Sequence, residues 1–264
     1  MQNHLYHGVF EPFKNQNKAF LITPEGNVSY SQFNKRTNQL ANCMIAAGLK
    51  PGDRVAVQAE KSVTQLALYA ATIKAGGVYL PLNTGYTPLE VEYFLSDAEP
   101  AFVVVSSAAE AKITSAASAL NTAFMTLNPD ETGSLTEHAN AASKHFDAVP
   151  RTSEDLAAIL YTSGTTGRSK GAKLCHRNLL SNAKVLVDTW KFTSEDRLLH
   201  MLPIYHTHGL FVASNLLAMV GGSMIFLPKF SVDAALQWMP QATTMMGVPT
   251  FYTRLLDAKG FTAE

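Results

Sequence analysis

Apolar positions along the chain change period repeatedly, and each change marks an element. A strand edge at Val28 gives way to a helix, with Phe33, Leu40, Met44 and Ile45 at helical spacing and Gly48 as a C-terminal stop. Pro51-Gly52-Asp53 is a turn, and Arg54–Ala59 alternates as a strand does. Ser62 can cap a helix running to about Ala75 that is apolar on most sides, which predicts burial. Gly76-Gly77 ends it before a strand at Val78–Leu82. Helices are then predicted at Pro88–Asp97, Ala108–Leu120 and Leu135–Ser143, and strands at Phe102–Val105, Ala123–Leu127 and Leu156–Tyr161. Beyond these come a helix to Trp190, a strand at Arg197–Leu202 and an apolar helix after His206-Thr207-His208-Gly209. A strand at Ser223–Leu227, a helix at Val232–Met239, a strand near Thr243–Gly247 and a helix from Pro249 to about Ala258 complete the series.

Strands that alternate with helices predict an α/β fold with mostly parallel strands and helices on the sheet faces. In such folds ligands sit beyond the carboxyl ends of strands. The least apolar region, 128–153, reads as a surface connection. It separates a first α/β portion, 1–150, from a second portion, 151–264.

Hydrophobic residues make up 47% of the 264 and charged residues 16%, a globular composition with a substantial core. Lys+Arg and Asp+Glu balance at 21 each, so no charged field argues for nucleic acid or a membrane surface as partner. Cys43 and Cys175 lack metal-ligand spacing and read as reduced thiols. The N-terminal MQNHLYHGVFEPF has neither the basic start nor the apolar core of a signal peptide, and cytoplasmic location is the expectation. Gly209–Pro228 carries no charge over a bilayer-spanning length, but the Gly221-Gly222 break within it fits buried core better than a membrane helix.

The chemistry concentrates at Thr162–Gly171, TSGTTGRSKG, after the apolar run Leu156–Tyr161 and before a helical pattern that starts near His176. Glycines let backbone N–H groups approach an anion, hydroxyls add donors, and Arg168 and Lys170 add charge. Strand, loop and helix together make a cradle for phosphates. The Walker spacing fails, because Ser169 stands where its second glycine belongs, and the dinucleotide pattern GxGxxG fails too. The competing reading is a flexible connection, which predicts no companion motif.

Companion motifs are present. The loop resembles [ST]SG[ST]TGxPKG of the adenylate-forming enzymes (acyl-CoA synthetases, luciferases and nonribosomal adenylation domains), with Ser169 in place of the usual Pro. VSYSQFNKRTNQLA at Val28–Ala41, IKAGGVYLPLN at Ile73–Asn83 and LPIYHTHGL at Leu202–Leu210 resemble further segments of that family, in its order. Within it the chain is most similar to the malonyl-CoA synthetase (malonate–CoA ligase) branch, through EKSVTQLALYAATIKAGGVYLPLNTGYT, SGTTGRSKGA, LPIYHTHGLFVASN and MGVPTFYTRLL.

The resemblance implies attack of a carboxylate on the α-phosphate of MgATP, then transfer of the acyl group from AMP to CoA. It implies that Thr162, Ser163, Gly164, Thr165, Thr166, Gly167, Arg168 and Lys170 bind the ATP phosphates, with Arg168 and Lys170 following the charge on leaving pyrophosphate. It places His206 beside the substrate carboxylate and α-phosphate, against the alternative of a histidine packed in a pocket wall; His208 is mainly structural. Malonate has a second carboxylate that needs a cation, and Arg254 is the candidate, against the alternative of an exposed helix arginine. His206-x-His208, with His200 a distant third, makes a weak metal reading; ATP, Mg2+ and CoA are the cofactors and co-substrates implied.

The family's adenine-binding segment, Thr-Glu pair, ribose-binding Asp, hinge and C-terminal catalytic Lys find no match here. The resemblance thus covers an incomplete N-terminal AMP-binding domain, with the C-terminal catalytic-lysine domain absent. We therefore expect these residues alone not to complete adenylation, and expect unpaired sheet edges. A missing half of the enzyme would be a partner. Other readings are a ligase for methylmalonate or a short monocarboxylate, a non-catalytic nucleotide- or CoA-binding fragment, and an interaction fragment.

Overall fold

The structure, a computed structural model, describes residues 2–110, 113, 122–162 and 169–262. In chain order its elements are α1 (His4–Val9), β1 (Ala19–Thr23), β2 (Gly26–Ser29), α2 (Tyr30–Ala46), β3 (Arg54–Gln58), α3 (Val63–Lys74), β4 (Val78–Pro81), α4 (Pro88–Ala98), β5 (Phe102–Val105) and β6 (Ala123–Thr126). They continue with α5 (Ser134–Ala141), β7 (Leu156–Thr162), β8 (Lys170–Cys175), α6 (His176–Trp190), β9 (Arg197–His200), a π-helix (His208–Ser214), α7 (Asn215–Val220), β10 (Ser223–Phe226), α8 (Val232–Trp238), a 3₁₀ turn (Met239–Gln241), β11 (Thr244–Met246) and α9 (Pro249–Leu256). The helix expected at 108–120 lies largely outside the described residues.

Local signals act where the sequence puts them. Ser29 and Gln32 close a capping box at the start of α2, and Thr87 and Glu90 close another at α4, with Pro88 in its first turn. Ser62 caps α3 by accepting from the Gln65 N–H.

Two sheets form. One has the order β6-β5-β3-β4-β7-β8 and the other β11-β9-β10-β1-β2; among the described residues only the β7–β8 and β1–β2 pairs are antiparallel. Mostly parallel strands with alternating helices are thus the observed architecture. Strands from both sides of residue 150 share both sheets: β7 and β8 extend β3–β6, while β1 pairs in parallel with β10. Nothing local announces that β1–β10 pairing, because its partners lie about 200 residues apart.

Helix α3 explains why its sequence is apolar on most sides. Thr64 through Lys74 are all buried. Tyr69 packs edge-on to Tyr79 of β4 at 5.2 Å between ring centroids, meets Phe211 of the π-helix at 5.6 Å, and donates its hydroxyl to Asn215 at 3.2 Å. One helix therefore ties the six-stranded sheet to the segment leading into the five-stranded one. The uncharged stretch 209–228 resolves into the π-helix, α7 and β10, with Gly221 at φ 72° ending α7. Among the described residues no helix is long and apolar enough to cross a membrane.

The N-terminus is pinned by α6. His176, fully buried, accepts the Leu5 N–H on Nδ1 at 3.2 Å. Burial, with Arg151 nearby, lowers its pKa to about 4. A histidine held neutral in the fold but free to charge when unfolded stabilises fully above pH ~6.5, and that stability is lost as pH falls toward the folded value. The expected outcome is a contribution to stability that is steady above about pH 7 and falls by on the order of 3 kcal/mol between about pH 6.5 and 4, with a matching fall in melting temperature. Thermal melts of wild type and His176→Gln across that range test it; parallel curves would count against the assignment.

Candidate functional site

The segment expected to cradle phosphate connects two antiparallel strands. β7 and β8 pair with Tyr161 opposite Gly171 and Thr162 opposite Lys170. The helix begins at His176, as expected, but the strand–loop–helix expectation is corrected in one respect: Lys170–Cys175 forms a strand between the loop and the helix. Gly171 is needed because a Cβ there would stand 3.0 Å from Ile159 Cγ2 across the pair. The N-terminus of α6 is therefore separated from the end of β7 by the whole of β8. Ser163, Gly164, Thr165, Thr166, Gly167 and Arg168 lie outside the described residues. Thr162, closing β7, and Lys170, opening β8, are both exposed.

Helix α4 clasps the hairpin base. Tyr93 donates its hydroxyl to the Ser169 carbonyl at 2.9 Å, and Tyr161 donates to Asp97 Oδ2 at 2.5 Å. Phe94 and Tyr161 rings lie 4.4 Å apart. Burial and the Asp97 carboxylate both push the Tyr161 phenol up, so it remains a donor.

Three distant stretches converge beside this base. A cavity of about 60 Å³ is lined by Asn83 and Tyr86 after β4, Tyr161 and Thr162 at the end of β7, and Tyr205 and His206 after β9. All three stretches follow the carboxyl ends of strands, where α/β folds bind ligands. Thr162 and His206, both singled out from the sequence, share this cavity. Asn83, Tyr161 and Tyr205 were not singled out; Asn83 nevertheless closes the quoted segment IKAGGVYLPLN.

His206 sits exposed at the mouth with its ring edge-on to Tyr205 at 4.7 Å. Enough protein surrounds that ring to lower its pKa below the usual histidine value. Near neutral pH the imidazole is then uncharged and can offer one N–H. His208 opens the π-helix. Arg254 does not line this cavity. It is exposed on α9 with its guanidinium 5.2 Å over the Phe230 ring, which itself stacks on Phe251 at 4.0 Å. Among the described residues no carboxylate forms an ion pair with it.

Among the described residues no three His, Cys, Asp or Glu side chains gather as a metal site. His200, the distant third histidine, is buried and bonded to Lys61 and Gly209.

A polar cavity at the carboxyl ends of parallel strands, lined from three separate stretches of chain, is the architecture of a ligand-binding α/β protein. Residues 12–264 match the family model of the AMP-binding enzymes, and the chain belongs to that family. It is 33% identical over 250 residues to the mitochondrial malonate–CoA ligase ACSF3 of Mus musculus, covering 90% of this chain and 42% of that protein. It is 30% identical over 257 residues to an oxalate–CoA ligase of Arabidopsis thaliana, covering 91% and 48%. MatB of Rhodopseudomonas palustris, solved as the apo protein and with ATP bound, superimposes with a TM-score of 0.96 at 52% identity, over 99% of this chain and 52% of MatB. The chain thus spans about half the length of the relatives it matches.

Proposed function

We propose that the protein carrying this sequence activates malonate with ATP and transfers it to CoA. A carboxylate oxygen attacks the α-phosphorus of ATP and pyrophosphate leaves. The CoA thiolate then attacks the acyl carbonyl and AMP leaves, giving malonyl-CoA. The observation that carries this reading is the meeting of Thr162 and His206 in one cavity at the base of the phosphate hairpin. The likeness to MatB and to ACSF3 supports it. To this sequence we assign the phosphate and acyl sides of the reaction.

The first step brings two anions together, so the site must orient and neutralise them. Lys170 supplies mobile positive charge toward the β- and γ-phosphates. His206, held neutral, donates an N–H to the carboxylate or α-phosphate oxygen without adding a charge that must be lost later. Thr162 adds a hydroxyl at the same edge.

The oxalate–CoA ligase likeness supports a second reading, in which another short acid is the substrate. Pyrophosphate release by the complete protein, compared across malonate, methylmalonate, oxalate and acetate, decides between them. Malonate is expected to give the highest kcat/KM, and a higher value for another acid would transfer the assignment to it.

Arg254 bears on the same choice. As an unpaired cation it is suited to the distal carboxylate of malonate. Arg254→Ala is expected to lower kcat/KM for malonate about 10-fold or more while changing the KM for ATP less than about twofold. Equal effects on both substrates, or none, would make it an ordinary exposed arginine.

A further inference from the structure

One buried cluster is used by nothing described so far. Lys61, just before α3, sends its amino group into the core between the sheets. There Nζ lies 2.8 Å from His200 Nδ1, 2.8 Å from the His200 carbonyl oxygen, and 4.3 Å over the Phe226 ring. Phe226 and His200 are register partners on adjacent parallel strands, so the lysine sits against a matched pair. On the far side of the imidazole, Nε2 lies 2.9 Å from the Gly209 carbonyl oxygen. Ser214 donates its hydroxyl to that same oxygen at 2.8 Å.

The acceptors settle the protons. A carbonyl only accepts, so His200 Nε2 must carry a hydrogen. His200 is fully buried, and burial and the facing lysine hold its pKa well below the usual histidine value, so the ring is neutral and Nδ1 is bare. Nδ1 therefore accepts from Lys61. Without that donor, the other tautomer would turn a lone pair toward the Gly209 oxygen.

Gly209 matters because of where it is. It lies in the first turn of the π-helix, a rare geometry that is frequent at functional sites. A Cβ added at Gly209 would run into the Pro203 carbonyl, and Leu210 donates its N–H to the His206 carbonyl at 3.0 Å. Residues 203–210 thus form a closed turn carrying Tyr205, His206 and Thr207, and its return limb hangs from His200.

We propose that Lys61 and His200 are positioning residues which, with Ser214, pin the Gly209 carbonyl and so hold His206 and Thr207 at the mouth of the cavity. The importance of His206 rests on the function proposed above; the clamp itself does not. A displacement of about 1 Å in such a turn costs on the order of 100-fold in rate.

The test is ¹⁵N-histidine NMR on the 264-residue chain, with His200 and His206 assigned by the variants His200→Gln and His206→Gln. In wild type the expected His200 signal is that of the neutral Nε2–H tautomer from about pH 6 to about pH 9. An Nδ1–H tautomer or an imidazolium would overturn the proposal, whatever the variants do. Lys61→Met and His200→Leu are expected to shift the His206 signal, and His200→Gln, which keeps a donor for Gly209, to bring it back most of the way. An unshifted His206 in either folded variant also overturns it. Should both fail to fold, Ser214→Ala, which removes only one bond to Gly209, carries the same reading: His206 shifts, or the proposal fails.

In the complete protein, Lys61→Met is expected to lower kcat by about 100-fold with the KM for ATP within about twofold. An unchanged kcat overturns the positioning role. A wild type without ligase activity would sink the proposed function and leave the spectroscopic result readable.

Discussion

Lys170→Ala is expected to weaken MgATP binding about 10- to 100-fold, the loss of a charge-assisted contact worth roughly 1.5–3 kcal/mol. Lys170 opens β8 directly opposite Thr162, so its side chain leaves the hairpin where the cradle segment rejoins the sheet. It is exposed and, among the described residues, takes part in no ion pair, so its removal should change stability by less than about 0.5 kcal/mol. Calorimetric titration of the 264-residue chain with MgATP, for wild type and variant, separates the outcomes. Equal affinity in the two would remove Lys170 from the phosphate site. No binding by a folded wild type would mean that groups on the adenine and ribose side are indispensable even for this step.

The second large effect is expected at Gly209. A Cβ there would run into the Pro203 carbonyl and stand 2.9 Å from its carbon, and neither party is a side chain that can swing aside. Gly209→Ala should therefore destabilise by about 3 kcal/mol, which for a chain of this size lowers Tm by roughly 6–10 °C. The turn bearing His206 must open to admit the methyl group, so the histidine moves as well. Thermal melting tests the first effect, and loss of the wild-type His206 NMR signal the second. A variant that melts like wild type would show that the two backbones do not approach this closely.

Much of the fold was legible because its signals are local. Capping boxes at Ser29 and Thr87, the Ser62 cap and the valine-rich run Phe102–Val105 act within a few residues, and the elements they predict are present. The hairpin was not legible in the same way. Lys170–Cys175, KGAKLC, has neither helical nor strand-like period, and becomes a strand because β7 offers it an edge. The π-helix was likewise hidden inside an apolar run that reads as ordinary helix; its wider turn is set by Gly209, Ser214 and His200 meeting in three dimensions.

The candidate site divides along the same line. Residue types in one short stretch make Thr162–Lys170 a candidate anion loop, whereas His206 was picked out through the resemblance of LPIYHTHGL to a family segment. That Thr162 and His206 line one cavity follows only from the parallel sheet, which brings the ends of β4, β7 and β9 together. Lys61 and His200 illustrate the point most sharply. In sequence they are a charged residue near a helix start and an isolated histidine, separated by more than half the chain. Packing against each other gives the one its acceptors and the other its tautomer. The sequence by itself determined the period of each element, the caps and the composition of the phosphate loop, because those depend on neighbours along the chain. Only the tertiary structure decided which strands pair, which side chains share a cavity and how the buried polar groups are protonated, because those depend on neighbours in space and on the low dielectric around them.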